Sequence, residues 1–445
     1  MSYAGRALVL GMARSGYEAA KLLADKGYSI VINDVNTEQN ADQIKELESL
    51  GVEIILGHHP ENLLDQSFDI MVKNPGIPNS HPYVEKAQNH NVPVINEMEL
   101  AFRYFPSGVT IIGVTGTNGK TTTTTLIYEI LRKASRPVWL MGNIGFPVCS
   151  FVPRLKDKDI AVMEVSDHQL CNVADFKTNI SVLTNLSEAH IDFHGSYEAY
   201  KAMKKRIFNH HTNEDIAILN LDDGEVLDLT CDVPSTRKYF SWHPMRKPGC
   251  FILDRAIYYN NERIISLSDV KIKGKHNYEN AMAAIATVKE LGVESQPIID
   301  VLKSFGGVEH RLEYVRTINQ VDFYNDSKST NITSTQMALS SFDRPIILLM
   351  GGLDRGHSFD GLKDYLKGVK LIVAFGETKD RISRFASEQG IASVVVETLD
   401  EAVTAAYDSS EPGDIILLSP ACASWDQYGN FEIRGNRFKD CVNAL

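Results

Sequence analysis

The sequence predicts three successive α/β domains, each built on a largely parallel sheet. The 445 residues suffice for about three cores at roughly 150 residues each. Short apolar runs of strand length alternate with helix-period stretches from end to end. Two strand-to-helix junctions also carry glycine-containing turns of the kind that approach phosphate.

The first domain opens with a strand at residues 6–10, a glycine turn, a helix around Tyr17 to Leu23, and a strand from Ser29 to Ile32 that ends at Asp34. Strand patterns recur at Val52 to Leu56, at Ile70 to Val72 before the Lys73-Asn74-Pro75-Gly76 turn, and at Val92 to Ile95. This is a small Rossmann-like sheet ending near Met98. A new strand, Val109 to Val114, leads through a glycine and threonine loop into a helix from Thr121 to Leu131. Further strands are expected at Ile160 to Val165, Ile180 to Thr184 and Ile216 to Asn220, then short antiparallel strands within 237–273 and a closing helix from Asn277 to Leu291. That makes a central P-loop domain with a small antiparallel sheet. After Gly306-Gly307, strands at Val321 to Tyr324, Ile346 to Met350, Leu371 to Phe375, Ser393 to Val396 and Ile415 to Leu418 predict a third, parallel Rossmann-like domain.

Composition narrows the function. With 43% apolar and 23% charged residues the chain is of ordinary globular type, which excludes a disordered or collagen-like protein. Its 45 basic and 57 acidic residues give a net charge of -12, so the broad positive field needed for nucleic acid or anionic membranes is missing. Apolar runs such as Ile346 to Met350 fall far short of the ~20 residues of a membrane span. The N-terminus lacks the apolar region and cleavage site of a signal peptide, so a cytoplasmic location is expected. Cysteines 149, 171, 231, 250, 422 and 441 include no Cys-x-x-Cys pair, which predicts buried free thiols.

The strongest chemical signal is Gly113-Val114-Thr115-Gly116-Thr117-Asn118-Gly119-Lys120-Thr121. A phosphate chain needs backbone N–H groups that it can approach, a helix N-terminus, a lysine and a hydroxyl for Mg²⁺, and this segment offers all four. The pattern G-x-x-x-x-G-K-[ST] departs only at Val114, so ATP or GTP binding is expected. The turn Gly11-Met12-Ala13-Arg14-Ser15-Gly16, with Asp34 after the next strand, predicts a second nucleotide whose diphosphate lies over a helix N-terminus, with Arg14 and Ser15 on its oxygens. On a helix from Tyr197 to Phe208, Tyr200, Met203, Ile207 and Phe208 form the apolar stripe and Lys204 points among them. Partial desolvation lowers a lysine pKa, and the neutral amine can add CO2 to become a carbamate. Glu164 and the run Glu188-Ala189-His190-Ile191-Asp192-Phe193-His194 suggest Mg²⁺ rather than zinc. His194 itself reads as an exposed loop histidine.

These residues, together with Gly142-Asn143-Ile144-Gly145, Glu164-Val165-Ser166, Asn185 to Asp192, His276-Asn277-Tyr278-x-Asn280, Glu309-His310-Arg311 and Asn325-Asp326-Ser327-Lys328, follow the order found in the Mur ligases of peptidoglycan synthesis. The chain resembles that family over essentially its whole length. Ser419 to Tyr428, Phe431-Glu432-x-Arg434-Gly435 and Asp326 to Asn331 resemble its D-glutamate-adding members, and the Asn/Asp-Pro-Arg motif of the diaminopimelate and lysine ligases is missing.

The resemblance implies a UDP-substrate domain at 1–98, an ATP-binding domain at 99–308 and an amino-acid-binding domain at 309–445. It further implies ATP, Mg²⁺, UDP-N-acetylmuramoyl-L-alanine and D-glutamate as the small molecules bound, with neither nucleic acid nor membrane as partner and a monomer as the working form. The muramoyl-alanine carboxylate would take the γ-phosphate, and the glutamate amine would then displace it.

Residue by residue, Gly116, Thr117, Asn118, Gly119, Lys120, Thr121 and Thr122 match the phosphate-binding positions, and Asn280, Arg311 and Asp326 the adenosine positions. Thr121 and Glu164 match one metal position; His190 and a carbamylated Lys204 match the second. Lys120, Glu164, His190 and Lys204 would carry the catalysis. Arg14, Ser15, Asp34 and the turn at Gly76 match the uridine diphosphate site, and Asn143 and Ser166 the path of the muramoyl-alanine. Lys328, Thr330, Arg355, Ser424 and the Phe431 backbone match the D-glutamate site.

Three other readings are open. A folate polyglutamate ligase shares the ATPase domain but does not require the N-terminal βαβ domain. A nicotinamide oxidoreductase would leave the P-loop unused. A nucleotide-switched binding protein would have no use for a carbamate at Lys204.

Overall fold

The computed structural model describes residues 4–65, 67–144, 146–342 and 344–445, the side chains of Asp192 and Thr333 excepted. Gly145 and the Asp192 side chain, both part of the motifs above, lie outside the described residues. The chain forms two compact units, Met1–Ser304 and Phe305–Leu445. No described helix is long and apolar enough to cross a membrane.

The first unit holds two sheets. Strands β1 (Gly5–Leu10), β2 (Tyr28–Asp34), β3 (Glu53–Leu56), β4 (Ile70–Lys73) and β5 (Val94–Ile95) pair in the order β3-β2-β1-β4-β5, all parallel. Helices α1 (Arg14–Asp25), α2 (Ala41–Ser49), α3 (Pro82–Asn89) and α4 (Glu97–Phe102) connect or follow them. Central β1 buries Ala7, Leu8, Val9 and Leu10 completely, as a strand covered on both faces must. The strand order reverses beside β1, and in such sheets ligands bind at the carboxyl ends of the strands there.

The second sheet has nine strands: β6 (Thr110–Thr115), β7 (Val138–Gly142), β8 (Ile160–Glu164), β9 (Ile180–Leu183), β10 (Ile216–Asn220), β11 (Thr236–Ser241), β12 (Gly249–Leu253), β13 (Ala256–Tyr259) and β14 (Glu262–Ser266). Their order is β14-β13-β12-β11-β10-β9-β6-β8-β7. The expected antiparallel segment within 237–273 is corrected in part: β12, β13 and β14 do pair antiparallel, but β11 pairs parallel with both β10 and β12. Turn residues mark the tight β12-β13-β14 connections, whereas nothing local in 236–241 reveals which neighbour its strand will meet. Helices α5 (Lys120–Lys133), α6 (Asp167–Leu170), α7 (Ile191–His194), α8 (Tyr197–Lys205), α9 (Gly224–Leu229), α10 (Lys275–Glu290) and α11 (Ser295–Ser304) complete the unit.

One apolar core serves both sheets. Val9, Tyr17 and Leu23 from the first share a cluster with Met98, Ile111, Met141, Cys149 and Val165.

In the second unit, β15 (Glu313–Ile318), β16 (Val321–Asn325), β17 (Ile346–Gly351), β18 (Val369–Phe375), β19 (Ala392–Val395) and β20 (Ile415–Leu418) pair in the order β15-β16-β20-β17-β18-β19. The expectation of a wholly parallel sheet fails at β15, which lies antiparallel to β16. Asn319 and Gln320 between them adopt positive φ, so a tight hairpin joins β16 to β15, a strand not among those expected from the sequence. Helices α12 (Ile332–Leu339), α13 (Lys379–Glu388), α14 (Leu399–Asp408) and α15 (Phe431–Ala444) surround the sheet. The cysteines are free; Cys149, Cys250 and Cys422 are buried, but Cys231 is exposed, which corrects the expectation for that thiol.

The turn from β1 into α1 tolerates no side chain at its last glycine, because a Cβ on Gly16 would stand 1.8 Å from the Gly11 carbonyl oxygen. Gly16→Ala should therefore cost about 1–3 kcal/mol of stability, seen as a lower urea midpoint at unchanged m-value.

Candidate active site

The site of the first unit forms where β6, β8 and β9 end together. Val114 stands opposite Glu164, and Thr115 opposite Leu183, so the loops after all three strands leave the sheet at one level. The loop after β6 runs from Gly116 to Gly119 and enters α5 at Lys120. Gly119 caps α5 with φ 81°, a left-handed conformation suited to glycine. A Cβ there would lie 2.1 Å from Asn280 Oδ1 on α10.

The segment after β9 shapes this loop. Asn118 N–H donates to Asn185 Oδ1 at 2.9 Å, Thr117 N–H donates to the Asn185 carbonyl at 2.9 Å, and the Thr184 hydroxyl donates to the Asn118 carbonyl at 2.6 Å. Lys120 curls back and donates to the Gly116 and Thr117 carbonyls at 2.9 and 2.7 Å. Its ammonium thus rests over the loop, where phosphate oxygens would compete for it. Thr121 and Thr122 are buried in the first turn of α5, and the Thr123 hydroxyl reaches Asn280 Oδ1 at 3.3 Å.

Glu164 closes β8, 2% exposed, and accepts from Asn143 Nδ2 at 2.8 Å. Ser166 caps α6 and shares a capping box with Gln169. Next to it, Asp167 gathers the remaining charges. Its Oδ2 lies 2.9 Å from His190 Nδ1, 2.8 Å from His194 Nε2 and 3.0 Å from His168 Nδ1; its Oδ1 lies 3.2 Å from Lys204 Nζ. Lys204 also donates to the Thr115 hydroxyl at 3.3 Å.

Burial works to raise the Asp167 carboxyl, but the histidine hydrogen bonds and the Lys204 charge outweigh it and hold the group well below the usual carboxylate range. Burial pushes the Lys204 ammonium down, against the pull of Asp167. Lys204 is wholly buried, further from water than the partial desolvation expected, with its ammonium between Asp167, the Thr115 hydroxyl and the Tyr200 ring. His194 is not an exposed loop residue: it ends α7 with a side chain only 4% exposed, held by Asp167. Nothing in the local pattern pointed to Asp167. The available signal was an acidic residue three positions past Glu164, in the same strand-end turn.

The donor set suits divalent metal ions. Glu164 and Thr121 offer hard oxygens, and ligand atoms of Asp167, His190 and His194 lie within 4.8 Å of one another.

At the first sheet, Arg14 and Ser15 begin α1, a helix of 12 residues whose opening N–H groups form an anion-binding end. Asn74 Nδ2 donates to the Ser15 hydroxyl at 3.1 Å, and Gly76 N–H to Asn74 Oδ1 at 3.0 Å. Asp34 instead braces the turn, accepting from Met12 N–H at 2.7 Å. A cavity of about 510 Å³ joins the two sheets' sites, with Arg14, Ser15 and Gly76 in its wall together with Asn143, Lys120 and His190.

The second unit holds the other expected residues. Asp326 accepts from Leu312 N–H at 3.2 Å and from the Ser419 hydroxyl at 2.8 Å, and burial pushes it up to about 6. It thereby anchors the turn that carries Arg311. Lys328 Nζ stands 5.8 Å from the Phe431 ring, and Arg355 stacks on Trp425, next to Ser424, at 4.7 Å. Thr330 N–H donates to the Lys328 carbonyl at 2.9 Å.

Comparison with known proteins agrees with this layout. Residues 5–96, 114–288 and 310–422 match the profiles of the Mur ligase MurD-like N-terminal domain, the Mur ligase middle domain and the Mur ligase glutamate ligase domain. The chain is 47% identical over 442 residues to a UDP-N-acetylmuramoylalanine--D-glutamate ligase of Geobacillus sp. (strain WCH70), covering 99% of this chain and 98% of the relative. It is 44% identical over 439 residues to the enzyme so named in Bacillus mycoides (strain KBAB4), covering 98% and 97%. In fold it is similar to the crystal structure of a UDP-N-acetylmuramate-alanine ligase from Thermotoga maritima, with TM-score 0.63, 19% identity and 99% of each chain covered.

Because the Gly119 cap is both left-handed and pressed on Asn280, Gly119→Ala should weaken Mg-ATP binding by at least about tenfold, or ~1.4 kcal/mol. Uridine nucleotide affinity, measured by calorimetry in the same samples, should be unchanged.

Proposed function

The chain belongs to the Mur ligase family, and from that premise we propose that it joins D-glutamate to UDP-N-acetylmuramoyl-L-alanine with conversion of ATP to ADP and phosphate. It acts in peptidoglycan precursor synthesis, in the cytoplasm and as a monomer. The observation that carries this reading is the single cavity lined by the nucleotide turn at Arg14 and Gly76, by Lys120, and by Asn143 and His190. A uridine diphosphate-linked acid can reach the ATP phosphates along it. An oxidoreductase or a simple nucleotide switch has no need of such a passage.

Residues 1–98 take the uridine-linked substrate, 99–308 the ATP and 309–445 the amino acid. The α1 N-terminus, Arg14, Ser15 and the Asn74 to Gly76 turn hold the diphosphate, and Asn143 and Ser166 guide the muramoyl-alanine towards Lys120. The loop amides and Lys120 orient the γ-phosphoryl group in line with the substrate carboxylate. Oxygen attack on phosphorus breaks the bond to ADP and leaves an acyl phosphate, which the glutamate amine then converts to an amide as phosphate departs. Thr121 with Glu164, and His190 with Lys204, would hold Mg²⁺, which would supply the positive charge that lets two anions approach.

Asn280, Arg311 and Asp326 serve adenosine, Asp326 through the turn that it anchors. Lys328, Thr330, Arg355, Ser424 and the Phe431 backbone receive the glutamate carboxylates; an arginine stacked on Trp425 keeps its fork free for a carboxylate. The neutral Lys204 amine adds CO2 and loses a proton, giving an anionic carbamate. Its depressed pKa supports this, and the exchange of an ammonium for an anion beside Asp167 is what a second cation would balance.

Phosphate release with UDP-N-acetylmuramoyl-L-alanine and ATP should require D-glutamate in a panel of D- and L-amino acids; release with L-lysine or diaminopimelate instead would refute the substrate assignment. Incubation with ¹³C-bicarbonate should yield a carbamate resonance that Lys204→Ala abolishes together with turnover.

A further inference from the structure

Glu97 is a charged residue of the cavity wall with no part in the chemistry above. It opens α4, is 4% exposed, and lines the cavity. Its Oε1 accepts the Cys149 N–H, and the Cys149 thiol, which donates to the Glu97 backbone carbonyl at 3.3 Å, also lies against the carboxylate. Oε2 receives no N–H or O–H hydrogen bond among the described residues. A carboxylate oxygen in a cavity wall that takes no N–H or O–H from the protein is open to a donor on a ligand.

Position narrows the ligand group. The helix α4 packs on α1, whose first residues belong to the diphosphate turn, and on the 3₁₀ turn Val148–Phe151 beyond the Asn143 loop. The cavity wall that includes Glu97 thus also carries the diphosphate turn at Arg14 and Gly76 and, at its other end, Lys120 and Asn143. Of the pieces of a UDP-muramoyl-alanine, the diphosphate and the terminal carboxylate offer only acceptors at neutral pH, and the uridine lies beyond the diphosphate. Donors are found on the hexosamine, as hydroxyls and an amide N–H, and on the alanyl amide beside the carboxylate; the hexosamine carries most of them. Resting on the function proposed above, we infer that Glu97 is a specificity residue for this amino sugar, its cavity-side oxygen accepting a hydrogen bond from a sugar hydroxyl or amide N–H.

Protonation gives the inference a signature. Burial pushes Glu97 up to about 7, and Glu18 of α1 adds to this while the Cys149 hydrogen bonds oppose it. Lys73 ends β4 behind α4, and Arg14, Lys120, Asp167, His168 and His190 are the other titratable or charged groups of the cavity wall. A donor on the ligand favours the ionised carboxylate, so sugar-nucleotide affinity should rise as pH increases through about 7 and level off above it. UDP lacks the sugar but ends in a phosphate monoester whose second ionisation falls at about pH 6, so the Glu97 contribution is read from the sugar-nucleotide affinity of wild type against Glu97→Gln at each pH.

The test is calorimetric titration of the full chain with UDP and with UDP-N-acetylmuramoyl-L-alanine, between about pH 6 and pH 8, for wild type and Glu97→Gln. The variant should bind UDP normally and the sugar nucleotide about tenfold more weakly. Its KM should rise with kcat nearly unchanged, and the rise of its sugar-nucleotide affinity through about pH 7 should be lost. Unchanged sugar-nucleotide binding, or equal weakening of UDP, would overturn the inference, the latter marking a structural role. Should Glu97→Gln fail to fold, a wild-type sugar-nucleotide affinity that does not rise between about pH 6 and pH 8 is equally decisive against it. Wild-type ADP formation with ATP and D-glutamate tests the underlying function separately, since it requires only that the sugar nucleotide be a substrate.

Discussion

The ion pair between Lys204 and Asp167 is the constraint around which the ATP end of the site is arranged. Both groups are removed from water, and neither would be tolerated there alone. The carboxylate is shared further among three imidazoles, which ties α6, α7 and α8 to one point beside the β6 strand end. The Lys204 contact with the Thr115 hydroxyl joins this point to the first residue of the phosphate loop. A second link runs through Tyr200, one turn earlier on α8, whose hydroxyl meets that of Thr117 at 2.9 Å. The loop that holds phosphate and the helix that carries the buried amine are thus one hydrogen-bonded body.

Backbone register does the rest of the positioning. Parallel pairing of β6 with β8 and β9 brings Glu164, Thr184 and Asn185 to the loop without any of them being near it in sequence. Asn185 then fixes the loop through both its side chain and its carbonyl. A phosphate site made in this way is already formed before a ligand arrives, which lowers the conformational cost of binding.

Much of this could be read from the chain. The strand, glycine loop and helix around Lys120 have local causes, namely a buried apolar run, positive-φ glycines and a helix start, and these are visible in adjacent residues. The apolar stripe around Lys204 was visible too, though not that its ammonium would be wholly buried against Asp167 and Thr115. What stayed hidden depends on pairing at long range. Asp167 matters because β8 delivers it opposite residues 190–204, and Glu97 because α4 turns it towards a cavity closed by residues some fifty positions later. The β15–β16 hairpin was missed for a related reason: its positive-φ turn is Asn-Gln rather than a glycine pair.

The common core beneath the two sheets of the first unit has an evolutionary corollary. Tyr17 and Leu23 pack in one cluster with Met98, Cys149 and Val165, so the segment of the first sheet cannot drift in sequence independently of the segment of the second. Chimaeras that exchange residues 1–98 between distant homologues would inherit mismatched side-chain volumes along this seam. Recombination at that junction should succeed only between lineages that have kept the same interior, whereas substitutions around the exposed rim of α2 are free to diverge.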